Sequence, residues 1–174
     1  MGESGALVGT LSFLDSIPSL AWLPLLLLMA SSEAIAVVVV TAIGGALPLA
    51  IAIAHGISQV PRRIELSAKL LGASRRGIWF GVMLMAARPA ILAGLRSSVY
   101  QVARTLVGAE VIVDVGRGLG QLIEGQAQSA QLGGIVATAA LVGAVVALLD
   151  TYLLRRLLDD AELKWRTERD SWTN

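Results

Sequence analysis

The 174-residue chain contains no cysteine and only one histidine, His55. Without cysteine there is no disulfide, thiolate nucleophile or cysteine-ligated metal, and one histidine cannot form a histidine cluster around a metal ion. The glycine-rich run from Gly116 to Gly120 is not followed by the Gly-Lys-Ser/Thr of a phosphate-binding loop. We therefore predict no metal site, no cofactor and no enzymatic activity, ATP hydrolysis included, for this chain.

Charge is also scarce, because only 16% of the residues are charged, whereas soluble domains average about 25%. Hydrophobic residues make up 55% of the chain, and the mean hydropathy is +0.71. The N-terminus does not resemble a signal peptide, since its first charged residue is the acidic Glu3 and no Lys or Arg precedes the apolar stretch. The composition predicts a membrane protein.

Long uncharged runs follow one another along the chain. Three of them cover residues 16–32, 34–60 and 132–149, and a fourth apolar segment, 78–113, carries few charges. The fourth would measure about 54 Å as one helix, which exceeds a bilayer, so we expect a break near Pro89. Because backbone polar groups in lipid must bond within their own segment, these runs favour helices. We predict an all-α, polytopic membrane helix bundle of about four transmembrane helices.

The first run is the least clear of the four. Its apolar core, Ile17–Ala30, is short for a perpendicular span, which needs about 20 residues. Pro18 and Pro24 either bend the helix or mark its start, and a tilted or longer helix that includes residues 5–14 stays open.

Basic residues predict the orientation of the chain. Five Lys or Arg residues lie in the connection 58–78, and Arg155 and Arg156 follow the last run, so both segments should be cytoplasmic. We predict a membrane domain over residues 1–154 and a charged cytoplasmic tail over residues 155–174.

The connection itself, PRRIELSAKLLGASRRGIW, predicts a cytoplasmic helix of about three turns that starts at Pro61. Glu65 near its first turn complements the helix dipole, Gly72 suits a C-terminal stop, and Ser74 suits the cap of the next helix. Two interpretations remain open. The bases either set topology beside anionic lipid or belong to a docking helix for a cytoplasmic subunit.

Arg104 and Glu110 are ionisable and fall inside the apolar segment after Pro89. Such residues are costly in lipid and usually face a partner or a water-filled path. Arg104 either attracts an anionic substrate or forms a structural ion pair, and Glu110 either lines a path or lies at the interface. Tyr100, one turn from Arg104, either lines the same path or packs in the core.

A series of short motifs resembles the permease subunits of binding-protein-dependent ABC importers. In chain order they are Glu65-Leu66-Ser67-Ala68, Gly72-Ala73-Ser74-Arg75, Arg88-Pro89-Ala90-Ile91, Gly94-Leu95-Arg96, Ala109-Glu110 and Gly118-Leu119-Gly120. Ile17-Pro18 and Ala21-Trp22-Leu23-Pro24-Leu25 look like the nitrate/sulfonate/taurine branch of that family, and the glycine betaine branch is similar.

The resemblance implies a transmembrane permease for a small anionic solute, coupled to a separate ATPase through the helix after Pro61. Its partners would be ABC ATPase subunits, a second permease copy (identical or not), an extracytoplasmic solute-binding protein and the lipid bilayer of a bacterial inner membrane, with no nucleic acid. The implied coupling residues are Arg62, Arg63, Glu65, Lys69, Gly72 and Ser74. The implied pathway residues are Tyr100, Arg104 and Glu110.

The chain also departs from the family pattern. Glu65 stands one residue farther from Gly72 than usual, which rotates it by about 100° on a helix. Met85 replaces the usual proline, and one or two N-terminal helices of the family have no counterpart. These departures leave an alternative, in which a truncated, permease-like chain acts as a regulatory or scaffolding membrane subunit.

Overall fold

The structure is a computed structural model that describes the backbone of residues 2–154 and the side chains of residues 8–152. Throughout the described part the chain is all-α, which confirms the predicted fold class. The predicted tail, 155–174, lies outside the described residues. The elements are α1 Gly2–Asp15, a 3-10 turn Ser19–Trp22, α2 Leu23–Met29, α3 Glu33–Ser58, α4 Arg62–Leu70, α5 Arg75–Gly77, a π-helical segment Ile78–Met83, α6 Leu84–Ala86, α7 Arg88–Ile112, α8 Leu119–Gln128, α9 Leu132–Leu149 and a second π-helical segment Asp150–Leu154.

Among the described residues, two helices are long and apolar enough to cross a membrane, Glu33–Ser58 and Leu132–Tyr152. Two further pairs qualify if each bent pair counts as one span. In the first pair, Val8–Asp15 of α1 and Ser19–Met29 (the 3-10 turn with α2) are bent by 78° relative to each other. In the second pair, Arg75–Ala86 and α7 are bent by 65°. The second bend confirms the break predicted near Pro89, which lies in the first turn of α7. The first run is thus broken just before Ser19 and is not one longer helix.

The chain divides into two compact units, Met1–Gly116 and Arg117–Asn174. In the first unit, α3 packs along α7. A Cβ built at Gly45 would overlap Val102, and one built at Gly94 would overlap Ala52. Glycine at these positions allows the two backbones to approach closely.

Hydroxyl groups join the same elements inside the apolar layer. The buried Ser98 Oγ donates a hydrogen bond of 2.5 Å to the carbonyl oxygen of Gly45. The hydroxyls of Ser19 and Thr105 lie 2.9 Å apart and share a second bond, beside Gly44. The 3-10 turn between α1 and α2 is therefore tied to the middle of α7.

In the second unit, α8 packs on α9, and the polar Gln126 side chain lies at their contact. Thr138 Oγ1 donates to Gln126 Oε1 at 3.1 Å, and a Cβ at Gly134 would lie 2.8 Å from Gln126 Cδ. The turn between the helices places Ala130 at φ 53°. Its N–H donates to Ala127, and the N–H of the next residue donates to the Gln126 carbonyl, which closes the helix in a Schellman motif.

Candidate functional site

Helix α4 ends where the sequence predicted. Gly72 has φ 78°, a left-handed conformation that glycine adopts without penalty. Its N–H donates to Lys69 at 3.0 Å, and the N–H of Ala73 donates to Ala68 at 3.1 Å, the two bonds of a Schellman motif. Pro61 occupies the N-cap position, one residue before the predicted first turn.

The next helix begins at once, because Ser74 Oγ accepts a hydrogen bond of 3.2 Å from the N–H of Gly77. This cap confirms the predicted role of Ser74 at the start of α5. Helix α4 packs back against the Ile78–Met83 segment, and Ala68 and Ile78 are the buried residues of the two elements. The connection is therefore an ordered elbow of two capped helices, whose orientation is fixed by this contact.

Charges on α4 partly neutralise each other. Lys69 Nζ donates to Glu65 Oε1 at 2.5 Å across one helical turn. This hydrogen bond, and then the charge of the same ammonium group, lowers the pKa of Glu65 below its ordinary value of 4.5, with a smaller contribution from Arg62. Arg62 and Arg63 are exposed and leave the helix N-terminus positively charged.

The structure also reveals two residues that the sequence analysis did not single out. Leu66 and Leu70 lie one turn apart on α4, turned away from the buried Ala68, and Leu70 is 89% exposed. Both leucines are exposed and have charged residues of α4 beside them. Their i,i+4 spacing beside the arginines was the available signal, but the lack of a second buried face could be seen only in the structure.

The predicted pathway residues all lie on α7 but do not share one face. Tyr100, half-buried, and Arg104, exposed, are one turn apart, and both lie about 100° or more around the helix from the buried Ser98 and Thr105. Glu110 follows Arg104 by six residues, which places it about 120° around the helix. The structure therefore groups Tyr100 with Arg104, whereas Glu110 lies about 80° around the helix from Tyr100 and nearly three turns farther along α7.

Arg96 extends this stripe by one further turn toward the start of α7. It stands four residues before Tyr100 and is exposed. The sequence analysis used Arg96 only as part of a motif, although its spacing of eight residues from Arg104 already placed both on one side of a helix. Together the three residues form a polar stripe on the face of α7 that does not pack on α3.

Similar proteins include transport permeases with different named solutes. The chain is 33% identical over 156 residues to the nitrate import permease protein NrtB of Synechocystis, covering 87% of this chain and 55% of that protein. It is 30% identical over 141 residues to the bicarbonate transport system permease protein CmpB of Synechococcus elongatus, covering 81% and 51%. It is 29% identical over 152 residues to the taurine transport system permease protein TauC of Escherichia coli, covering 87% and 54%. The chain thus spans about half the length of these relatives.

The family pattern described as "Binding-protein-dependent transport system inner membrane component" matches residues 4–160, which is most of the chain. The match includes all the sequence motifs, from the first broken span to the start of α8, and also α9. It also agrees with the all-α fold and the apolar helices reported above. This chain belongs to the family of binding-protein-dependent transport system inner membrane components.

Proposed function

We propose that this chain is the membrane-spanning permease subunit of an ABC importer and that α4 is the helix through which a separate ATPase drives it. The observation that carries the proposal is the elbow: α4 exposes Leu66 and Leu70 and packs through Ala68 on the segment that leads into the membrane. A partner that binds the leucine pair can therefore move α4 and the following helix together.

This movement has a direct route to the membrane interior. The Ile78–Met83 segment continues through α6 into α7, which packs along α3. Because α4 packs on the Ile78–Met83 segment, a shift of α4 would be delivered through it to the α6–α7 bend. In this proposal ATP is hydrolysed on the partner subunit, while this chain, with a second permease copy, opens alternately to the two sides of the inner membrane.

The solute we propose is a small anion delivered by an extracytoplasmic binding protein. Nitrate and bicarbonate are anions, and taurine carries a sulfonate, so the named solutes of the three relatives share an anionic group. The guanidinium group of Arg104, with Tyr100 beside it, would attract such a group in an otherwise apolar layer. Glu110 lies on another face and would line a different part of the path.

Copurification in mild detergent tests the coupling role. The tagged chain should retain an ATPase subunit, recognised by mass spectrometry from its phosphate-binding loop. Leu66→Asn with Leu70→Asn should lose that subunit, because the apolar contact is removed. The matched control, Leu122→Asn with Leu132→Asn, alters two exposed leucines of the other unit and should retain it. If the folded wild type binds no ATPase subunit, the permease function is wrong and the regulatory or scaffolding alternative replaces it.

Uptake by proteoliposomes that contain the assembled transporter tests the anion path. Arg104→Gln should lower nitrate uptake about tenfold or more, since a charge-assisted contact contributes roughly 1.5–3 kcal/mol. Arg104→Lys should restore part of the uptake because it keeps the charge. Equal uptake by all three proteins would show that Arg104 does not face the solute.

A further inference from the structure

We propose that Arg75, Arg76, Trp79 and Phe80 form a binding site for the phosphate headgroup of an anionic phospholipid. The site lies on α5, the second helix of the elbow, and on the start of the Ile78–Met83 segment. It goes beyond the proposed function, because it assigns these two arginines to the bilayer, whereas Arg62 and Arg63 belong to α4.

The backbone presents these four side chains on one side. Ser74 caps the helix, and Ile78, which is only 5% exposed, turns one face toward α4. Counted at about 100° per residue, the two arginines and two aromatics occupy an arc of roughly 140° that begins about 60° from Ile78 and does not include it. All four are exposed, with Trp79 at 51% and Phe80 at 74%.

The positive charges of Arg75 and Arg76 are available to bind an anionic ligand. Neither Arg75 nor Arg76 forms an ion pair with a described residue, and the nearest acid in the sequence of the elbow, Glu65, is already paired with Lys69. A guanidinium group presents a planar fork of donors that matches phosphate oxygens. An anion therefore meets two available guanidinium groups one residue apart.

The aromatics select a lipid as the source of that phosphate. Trp79 follows Arg75 by four residues and Phe80 follows Arg76 by four, so each cation has an aromatic ring one turn farther along the helix. That direction leads into the apolar Ile78–Met83 segment and α6. Aromatic rings at this depth suit the headgroup level of a bilayer, with basic side chains just outside it. A soluble phosphate compound would leave both rings exposed to water.

Lipid quenching of a single tryptophan tests the proposal on the full chain. The substitutions Trp22→Phe, Trp165→Phe and Trp172→Phe leave Trp79 as the reporter. The protein is reconstituted in phosphatidylcholine vesicles that contain a small fraction of brominated phosphatidylglycerol or, in parallel, brominated phosphatidylcholine. We expect phosphatidylglycerol to be preferred beside Trp79 by about 30-fold at low salt, the combined effect of two arginines near the surface.

The variant Arg75→Gln with Arg76→Gln should remove this preference while brominated phosphatidylcholine still quenches Trp79. The matched control, Arg62→Gln with Arg63→Gln, removes the same charge from α4 and should keep the preference. Equal loss in both variants would overturn the site in favour of diffuse attraction by net charge. Equal quenching by both lipids in the parent protein, or displacement of phosphatidylglycerol by inorganic phosphate, would also overturn it. None of these outcomes depends on an ATPase, so the result is independent of the proposed function.

Discussion

The α3–α7 pair and the α8–α9 pair contain equally apolar spans that pack very differently. The best window of α3 and that of Leu132–Tyr152 both have a mean hydropathy of 2.4, but 28% of the first and 6% of the second is buried. In the first pair, glycines face the short side chains of Val102 and Ala52, and the Ser98 hydroxyl bonds to a backbone carbonyl of the other helix. In the second pair, Gly134 and Thr138 of α9 face the long, flexible Gln126 side chain. The comparison teaches that hydropathy identifies a span, while the groups that small residues and hydroxyls meet on the facing helix decide how closely it packs.

The largest difference should appear when a side chain is inserted into each pair. Gly94→Val should destabilise the protein by about 1–3 kcal/mol, since the new Cβ would overlap Ala52 on the facing helix. Gly134→Val should cost less than about 1 kcal/mol, because the flexible end of Gln126 can move aside. Unfolding by SDS in detergent micelles, followed by circular dichroism, measures both. Equal losses would mean that the two helix pairs are packed alike.

The left-handed residues that end α4 and α8, Gly72 and Ala130, should give a smaller difference in the free energy of unfolding. Gly72→Ala should cost about 1 kcal/mol, because its left-handed backbone then carries a Cβ. Ala130→Gly should be neutral or stabilising by up to about 1 kcal/mol, since Ala130 already adopts such a conformation in the same motif. The same unfolding experiment tests both, and a destabilised Ala130→Gly variant would contradict the expectation.

Removing one hydroxyl from each pair should have a weaker effect again. Ser98→Ala removes the bond to the Gly45 carbonyl and should cost about 0.6–1.7 kcal/mol, the range found for hydrogen bonds between membrane helices. Thr138→Ala should cost about 0.6 kcal/mol or less, because the Gln126 amide can bond to water instead. If Thr138→Ala lost more unfolding free energy than Ser98→Ala, the expectation that α3–α7 is the more tightly bonded pair would be wrong.

The smallest effect concerns the exposed side-chain pairs on α4 and α8. The Lys69 contact lowers the pKa of Glu65, so the pair stabilises the helix above pH 4.5 and is lost as pH falls through the lowered value. NMR titration of the Glu65 carboxyl should give a midpoint below 4.5 that rises in Lys69→Gln. High salt should weaken this pair, whereas the Gln128 to Glu124 bond of 3.2 Å on α8 has a neutral donor and should change less. If the titration midpoint of Glu65 is the same in Lys69→Gln as in the wild type, the expected difference in salt sensitivity between the two side-chain pairs has no basis.

Local sequence signals predicted much of the fold. The uncharged runs indicated the spans, Pro89 the bend before α7, and Gly72 and Ser74 the ends of the elbow helices, because each of these features depends on neighbouring residues. The bond between Ser19 and Thr105 and the exposure of Leu66 and Leu70 were not predicted. These depend on which helices meet and how each is rotated, which one sequence does not specify. The roles of the coupling and pathway residues stay predictions.

The hydrogen bond between Ser19 and Thr105 has a consequence for the order of events during synthesis. The two hydroxyls are 86 residues apart in the chain. At about 5–20 residues per second, a ribosome takes roughly 4–17 s to make that length. The first broken span therefore exists for seconds before α7, and during that time the Ser19 hydroxyl must be satisfied by water, lipid headgroups or its own backbone. The contact that ties this turn to α7 is formed only when most of the chain has been made.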